Sequence, residues 1–346
     1  MIKQWHVFFI LTFIFLSCQK ESKPSYLVAL DGPTMGTLYS IKIVNHDLIG
    51  TEHDSSTLHH GIDSLLRLIN QQMSTYQKNS ELSLFNQYRG RDWFPVSIDL
   101  CLVIKKSLQI SKISGGAFDI TVGPLVNLWG FGPEERVELI PTEANIQERK
   151  KLVGYDKLEV RISPPALKKK ISEMYCDLAA IAKGYAVDKV GEYLENHQIK
   201  NYIVDIGGEV KVSGKNHLGA SWKIGIATPD DQYGIQKVIF LKNMAVATSG
   251  DYRNYFEKDG IRYSHTIDPH SGRPITHQLA SVTVIHDSCM VADGLATAIN
   301  VLGPDKGYQL AQRLNLAVFM IIREENRFVE RMTPPFKKFL EADHKD

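Results

Sequence analysis

Residues 290–302 read MVADGLATAINVL, with apolar positions at helical spacing, so Asp293 and Thr297 lie four apart on one helix face with both side-chain oxygens pointing the same way. A carboxylate and a hydroxyl are hard donors suited to Mg²⁺. The competing reading is structural: Asp293 caps the helix start and Thr297 packs. A second group is Asp177-Leu178-Ala179-Ala180-Ile181-Ala182-Lys183-Gly184, an acid, small residues and one lysine ahead of an apolar helix. Small residues let a backbone approach a ligand closely or offer a carbonyl to a metal. The alternatives are an N-cap role for Asp177 and a solvated side chain for Lys183.

A third cluster runs from Ser249-Gly250-Asp251-Tyr252-Arg253 through Tyr255 to Tyr263-Ser264-His265-Thr266-Ile267-Asp268-Pro269 and Gly272-Arg273-Pro274. It is dense in turn formers, aromatics and groups that pair with anions, as in a ligand-facing loop pair or, alternatively, a turn-rich hairpin with polar tips. The fourth joins Met35-Gly36-Thr37, Met73-Ser74-Thr75-Tyr76, Ser80-Glu81-Leu82-Ser83 and Gly116-Ala117-Phe118-Asp119. Its aromatic and thioether groups beside small residues suit either the lining of a flat ring or a core. Standard chemistry is otherwise missing. Gly130-Phe131-Gly132 opens like a dinucleotide fingerprint, but Glu135 stands where its third glycine belongs, and HExxH, GxSxG and Walker patterns are absent.

These groups need elements to position them. Strand patterns fall at 38–44, 202–206, 222–227, 238–241, 281–285, 316–321 and 327–331, and helical patterns at 58–73, 100–113, 181–194, 290–302 and 304–314. Residues 132–170, rich in Pro, Glu and Lys, read as surface connections with short elements. Without regular βαβ alternation, the fold class is α+β, or mixed α/β, and not a doubly wound sheet.

Composition narrows the function classes. The 346 residues, 43% hydrophobic and 23% charged, exclude disordered, collagenous and disulfide-stapled proteins. Forty Lys+Arg against 39 Asp+Glu give a formal charge of +1, so the field that gathers nucleic acid is missing and no nucleic-acid partner is expected. The apolar run 7–16 follows Lys3 and ends at Phe15-Leu16-Ser17-Cys18. Its length suits a signal-peptide core and is too short to span a membrane. A small residue before Cys18 resembles a lipoprotein lipobox, the alternative being plain secretion. The expected organisation is a signal peptide over 1–18, a polar tether over 19–30, one domain over 31–335 and a charged tail over 336–346. The expected location is outside the cytoplasm, lipid-anchored to a bacterial membrane. Cys101, Cys176 and Cys289 form no CxxC pair and read as buried thiols.

In order, MGT (35–37), MSTYxxxSELSxFN (73–86), GGAFDITVGPL and WGFGP (115–133), DLAAIAKGYAVD (177–188), YIVDIGGE (202–209), SGDY (249–252), YSHTIDPxxGxP (263–274) and ADGLATA (292–298) resemble the ApbE family of FAD:protein FMN transferases. The resemblance implies an ApbE-like fold with a flavin site in a central cleft. It also implies Mg²⁺-dependent cleavage of FAD, phosphoester attachment of FMN to a Thr or Ser of an acceptor flavoprotein in a membrane redox complex, and release of AMP. Carried over by position, flavin and nucleotide contacts fall on Met35, Tyr76, Ala117, Phe118, Asp119, Asp177, Lys183 and Ile267, and metal ligands on the Ala180 carbonyl, Asp293 and Thr297. Asp293, His265 and Lys183 are the expected catalytic groups, with His265 and Asp293 both candidates for the general base. The family's acceptors carry D-G-x-[ST]-G-A-T. Asp293-Gly294 starts similarly, but the residues after it diverge, so the acceptor is another protein. The alternatives are an FAD pyrophosphatase giving FMN and AMP, and a non-catalytic flavin-binding lipoprotein.

Overall fold

The computed structural model describes residues 26–44, 48, 54–133, 140–229, 234–250, 255–258, 261–325 and 327–341. The expected leader with Cys18, most of the tether, residues 251–253 of the third cluster and the end of the tail lie outside these.

One antiparallel sheet organises the chain. Its eight strands, Leu27–Thr34, Thr37–Val44, Tyr202–Ile206, Glu209–Ser213, Met244–Gly250, Leu279–His286, Ala317–Glu324 and Arg327–Met332, lie across the sheet in chain order. Except for a short helical turn (Pro334–Phe339) after the last strand, the other elements are inserted between neighbours of this meander, which is the α+β arrangement expected from the pattern. The first two strands join through Met35-Gly36, both at positive φ (49° and 73°), with Thr34 opposite Thr37. Two consecutive left-handed residues match the right-handed twist of the flanking strands.

Alternation assigns the two sheet faces. Ile41, Val204, Ala245, Ala247, Val284 and Met320 turn toward a helical layer made of Ser55–Met73, Ile98–Ile113, Ala182–Asn196 and Cys289–Arg313. Val212, Val246, Phe319 and Ile321 turn the other way, toward a hairpin of Trp222–Ala227 and Ile235–Leu241. Coverage on both faces explains why every residue of 279–285 is buried, Ser281 and Thr283 included. Phe336, assigned by sequence to the charged tail, is fully buried and stacks on Phe319 at 5.3 Å, so packing continues past residue 335. Likewise the first strand begins at Leu27, inside the expected tether.

Helix boundaries follow local chemistry. Asp54, Ser97 and Ser288 each cap the helix that follows by accepting an N–H from within its first turn. The helix Ile98–Ile113 stops at Gly115 and Gly116, both left-handed, with the Gly116 N–H donating to the Ser111 carbonyl at 2.8 Å. Cys289–Arg313 is broken at Gly303 (φ 77°) before Pro304, giving the two helices expected on either side of that point. Residues 132–170 hold more order than their composition suggests. A helix (Glu143–Lys150) and the strands Leu158–Ile162 and Pro165–Lys169, joined by Phe94–Pro95 into a three-stranded sheet, form there, and Lys169 is buried.

Candidate active site

A cleft of about 660 Å³ opens where the helical layer meets the sheet. Eleven of the twelve sequence-assigned site residues line it: Tyr76, Ala117, Phe118, Asp119, Asp177, Ala180, Lys183, His265, Ile267, Asp293 and Thr297. Met35 does not. It occupies the two-residue turn described above and packs against the helix-side core.

The charged centre is built by two helices in close contact. Lys183 lies in the first turn of Ala182–Asn196, and Asp293 in the second turn of Cys289–Arg313. Between them sits Gly184, whose absent Cβ would stand 2.5 Å from the Cys289 carbonyl oxygen and 2.8 Å from the Asp293 Cβ. The Gly184 N–H donates to Asp293 Oδ2 at 3.0 Å. Ser288 caps that helix, so capping is not the role of Asp293, which is buried and faces the cleft with Thr297 one turn on. Asp177 is not an N-cap either. It lies four residues before the helix N-cap at Ile181 and accepts the Ala179 N–H at 2.8 Å.

Glu209 completes the centre, although the sequence motifs assign it no role. Buried at the start of its strand, it pairs with Lys183 Nζ at 2.6 Å, so Lys183 is not a solvated side chain. Burial works against charge on Lys183, but Asp293 and Glu209 outweigh it and hold the ammonium above its ordinary range. Burial raises the carboxyls of Glu209 and Asp293, an effect that Lys183 offsets only in part. Asp293 and Glu209 face Lys183, and the Thr297 hydroxyl and Ala180 line the same cleft. Apart from the Lys183 ammonium, their donors are all oxygens, the ligand type that a hard divalent cation takes. A signal for Glu209 exists in the sequence: an acid directly after Gly207-Gly208, where a tight turn returns the chain with Glu209 opposite Ile206.

The walls are positioned by their own networks. Asp119 lines the cleft, but its carboxylate accepts from the Thr121 N–H and hydroxyl and from the Tyr155 N–H (2.7–2.9 Å), holding the 117–119 loop in place. The Asp177 N–H donates to the Ile120 carbonyl at 2.7 Å, tying that loop to the 177–183 segment. Behind it, Asn86 makes two hydrogen bonds to the Cys176 backbone, and the buried Lys169 ammonium donates to the carbonyls of Phe85, Asn86 and Met174. The third cluster is both things the sequence allowed. It forms short hairpins, and it also supplies Ser249, His265 and Ile267 to the cleft. A ladder of Trp129, Tyr263, Phe256 and Phe131, with His265 edge-on to Phe131 at 6.4 Å, supports that wall. Tyr76 stands 69% exposed at the rim.

The ApbE family model matches residues 35–320, nearly the whole described chain. This chain belongs to the ApbE family. A relative from Vibrio cholerae serotype O1 named "FAD:protein FMN transferase" is 45% identical over 340 residues, covering 98% of this chain and 99% of the relative. One of the same name from Escherichia coli K12 is 38% identical, with 95% of each chain covered. Among solved structures, the flavin transferase ApbE from Vibrio cholerae superposes with a TM-score of 0.85 at 46% identity, over 92% of this chain and all of that one. The apo flavinyl transferase ApbE of Pseudomonas stutzeri gives 0.84 at 40% identity, over 91% and 97%.

Proposed function

We propose that this ApbE-family chain is an FAD:protein FMN transferase that moves the FMN half of FAD onto a Thr or Ser hydroxyl of an acceptor flavoprotein and releases AMP. The observation that carries the reading is the convergence of Lys183, Glu209, Asp293 and Thr297 in one cleft with the 117–119 loop and His265. FAD presents two adjacent phosphoryl groups, and a hydroxyl reaches phosphorus only when their charge is masked. Lys183, kept cationic by its two acids, faces that requirement directly. Asp293, Thr297 and the Ala180 carbonyl are the residues that would hold Mg²⁺. When bound there, the ion would draw charge from the phosphates and stabilise departing AMP.

The balance of the step needs no nucleophile from this chain. The acceptor oxygen bonds to the FMN phosphorus, the bond from that phosphorus to the bridging oxygen breaks so that the oxygen leaves with AMP, and the acceptor proton passes to a base. His265, carried on the wall loop, is assigned that proton, since Asp293 is committed to Gly184 and the cation. Apolar groups of the 117–120 loop and Ile267 give the flavin ring a surface that excludes water. We further place the protein outside the cytoplasm, anchored through acylated Cys18, with its acceptor in a membrane redox complex. The apolar run 7–16 ending at Ser17-Cys18 supports that anchoring.

The reading is tested by incubating purified protein with FAD and Mg²⁺, with and without an acceptor domain, and following AMP and the acceptor's mass. AMP formed only with acceptor, matched by FMN on the acceptor, is expected. AMP release that ignores the acceptor points to a pyrophosphatase, and intact FAD in both mixtures points to a carrier.

A further inference from the structure

The hairpin strand Trp222–Ala227 has an unusual relation to the cleft. Trp222 and Ile226 are buried in the core beneath the hairpin and Ile224 packs against it, whereas Lys223 and Gly225 point away and are exposed. Successive side chains of a strand alternate sides, so a cavity that touches one face meets every second residue. Here all five consecutive residues 223–227 line the cleft. That pattern arises when the strand turns its edge, the row of main-chain N–H and C=O groups, toward the cavity. The opposite edge is occupied by Ile235–Leu241, and among the described residues Trp222–Ala227 pairs with no other strand.

An open strand edge is ordinarily a liability that proteins shorten, cover or blunt with charge. This one is sheltered inside a reaction cleft. It carries Gly225, the residue type found where another backbone approaches closely, and exposed Lys223. Under the transferase reading a second substrate must enter the same cleft, a polypeptide whose hydroxyl lies in the Gly-rich segment opening with an aspartate that the family resemblance implies. Main-chain pairing supplies affinity with little dependence on side chains, which suits so plain a segment, and Lys223 complements its acid.

We infer that the acceptor segment docks by adding a strand to the free edge of Trp222–Ala227, which holds its Thr or Ser hydroxyl in register with the phosphates. This deepens the transferase reading and rests on it. The experiment uses the full chain with FAD, Mg²⁺ and a synthetic peptide containing Asp-Gly-Ala-Ser-Gly-Ala-Thr, in a series each bearing one N-methylated peptide bond. In an added strand only alternate N–H groups pair, so methylation at every second position raises the peptide KM about tenfold, while intervening positions change it by less than about threefold. Uniform tolerance, or one contiguous block of loss, overturns the proposal. Residue-resolved hydrogen exchange supplies an independent readout. Peptide slows exchange about fivefold or more at alternate amides within 223–227, and unchanged exchange at the highest peptide concentration overturns strand addition. If the unmethylated peptide slows exchange there but is never flavinylated, the docking stands and the transferase reading falls.

Discussion

Gly184→Ala is a small perturbation aimed at the contact that sets the active centre. The added methyl would lie 2.5 Å from the Cys289 carbonyl oxygen, where even tight Cβ contacts begin near 3.0–3.4 Å. The obstruction is backbone and cannot rotate away, so the helices bearing Lys183 and Asp293 must separate by somewhat less than about 1 Å. Overpacking of this kind costs about 1–3 kcal/mol, and replacing a helical glycine by alanine returns about 0.5–1 kcal/mol. A net loss of about 2 kcal/mol is expected, because a rigid contact belongs at the upper end. Activity suffers more, since a displacement of about 1 Å between groups that must meet one phosphoryl centre costs about a hundredfold. Urea denaturation and initial rates of FMN attachment measure the two effects. Gly191→Ala is the control on the same helix. Its methyl would meet the hydroxyl of Tyr202 and the flexible stem of Lys211, away from the cleft, and transfer should stay within about threefold of wild type. Wild-type transfer by Gly184→Ala would refute the claim that this helix contact sets the spacing.

Three further outcomes follow. Asp188 accepts the N–H groups of Cys289 and Met290 and the Ser288 hydroxyl while pairing with Lys211 at 2.9 Å, so Asp188→Ala strands a half-buried cation and leaves the first two N–H groups of the helix of Asp293 without their acceptor. A loss of about 3–5 kcal/mol is expected by urea titration, and a loss below about 1 kcal/mol contradicts the reading. Burial lowers the Lys169 ammonium to about 8 from the 10.5 of an exposed lysine. Between those pH values the unfolded chain holds more protons, so stability rises with pH across the window. The rise is at most about 3 kcal/mol, and the difference between wild type and Lys169→Met from pH 8 to 10 should follow it; a flat difference refutes the assignment. Removing divalent ions with EDTA should abolish transfer and leave the urea midpoint of Asp293→Ala unchanged, and a metal-dependent midpoint in that variant would move the ion elsewhere.

The features legible in the sequence are those whose physics is local. The helix over 58–73 is visible because Leu58, Ile62, Leu66, Ile69 and Met73 repeat at helical spacing and are all buried. The strands Tyr202–Ile206 and Trp222–Ala227 have the bounds that their sequence patterns predict. Leu27–Thr34 is hidden by Gly32 and Pro33, which read as turn formers. They are tolerated because this is the sheet's outermost strand, and Gly32 leaves room for the Tyr39 ring. Met244–Gly250 is built from small residues that carry little strand signal, and its identity comes from being wedged between neighbours and helices. In the site, the Asp293–Thr297 pair is local and can be read from spacing. The Lys183–Glu209 pair joins a helix to a strand and needs the fold to bring it together. Met35 sits in the hairpin turn, where backbone conformation sets its place, outside the residues that line the cleft. The edge of Trp222–Ala227 is unreadable in the same way, since no residue type announces which side of a strand faces a cavity.

The central claim is that the oxygens of Asp293 and Thr297, beside Lys183, enable FMN to leave FAD for another protein's hydroxyl. Its most direct test is the intact mass of an acceptor domain co-expressed with this chain or with its Asp293→Ala variant, both shown to be folded by circular dichroism. The account predicts one FMN phosphoester on a single Thr or Ser with the wild type and an unmodified acceptor with the variant. An acceptor modified to the same extent by both would contradict it.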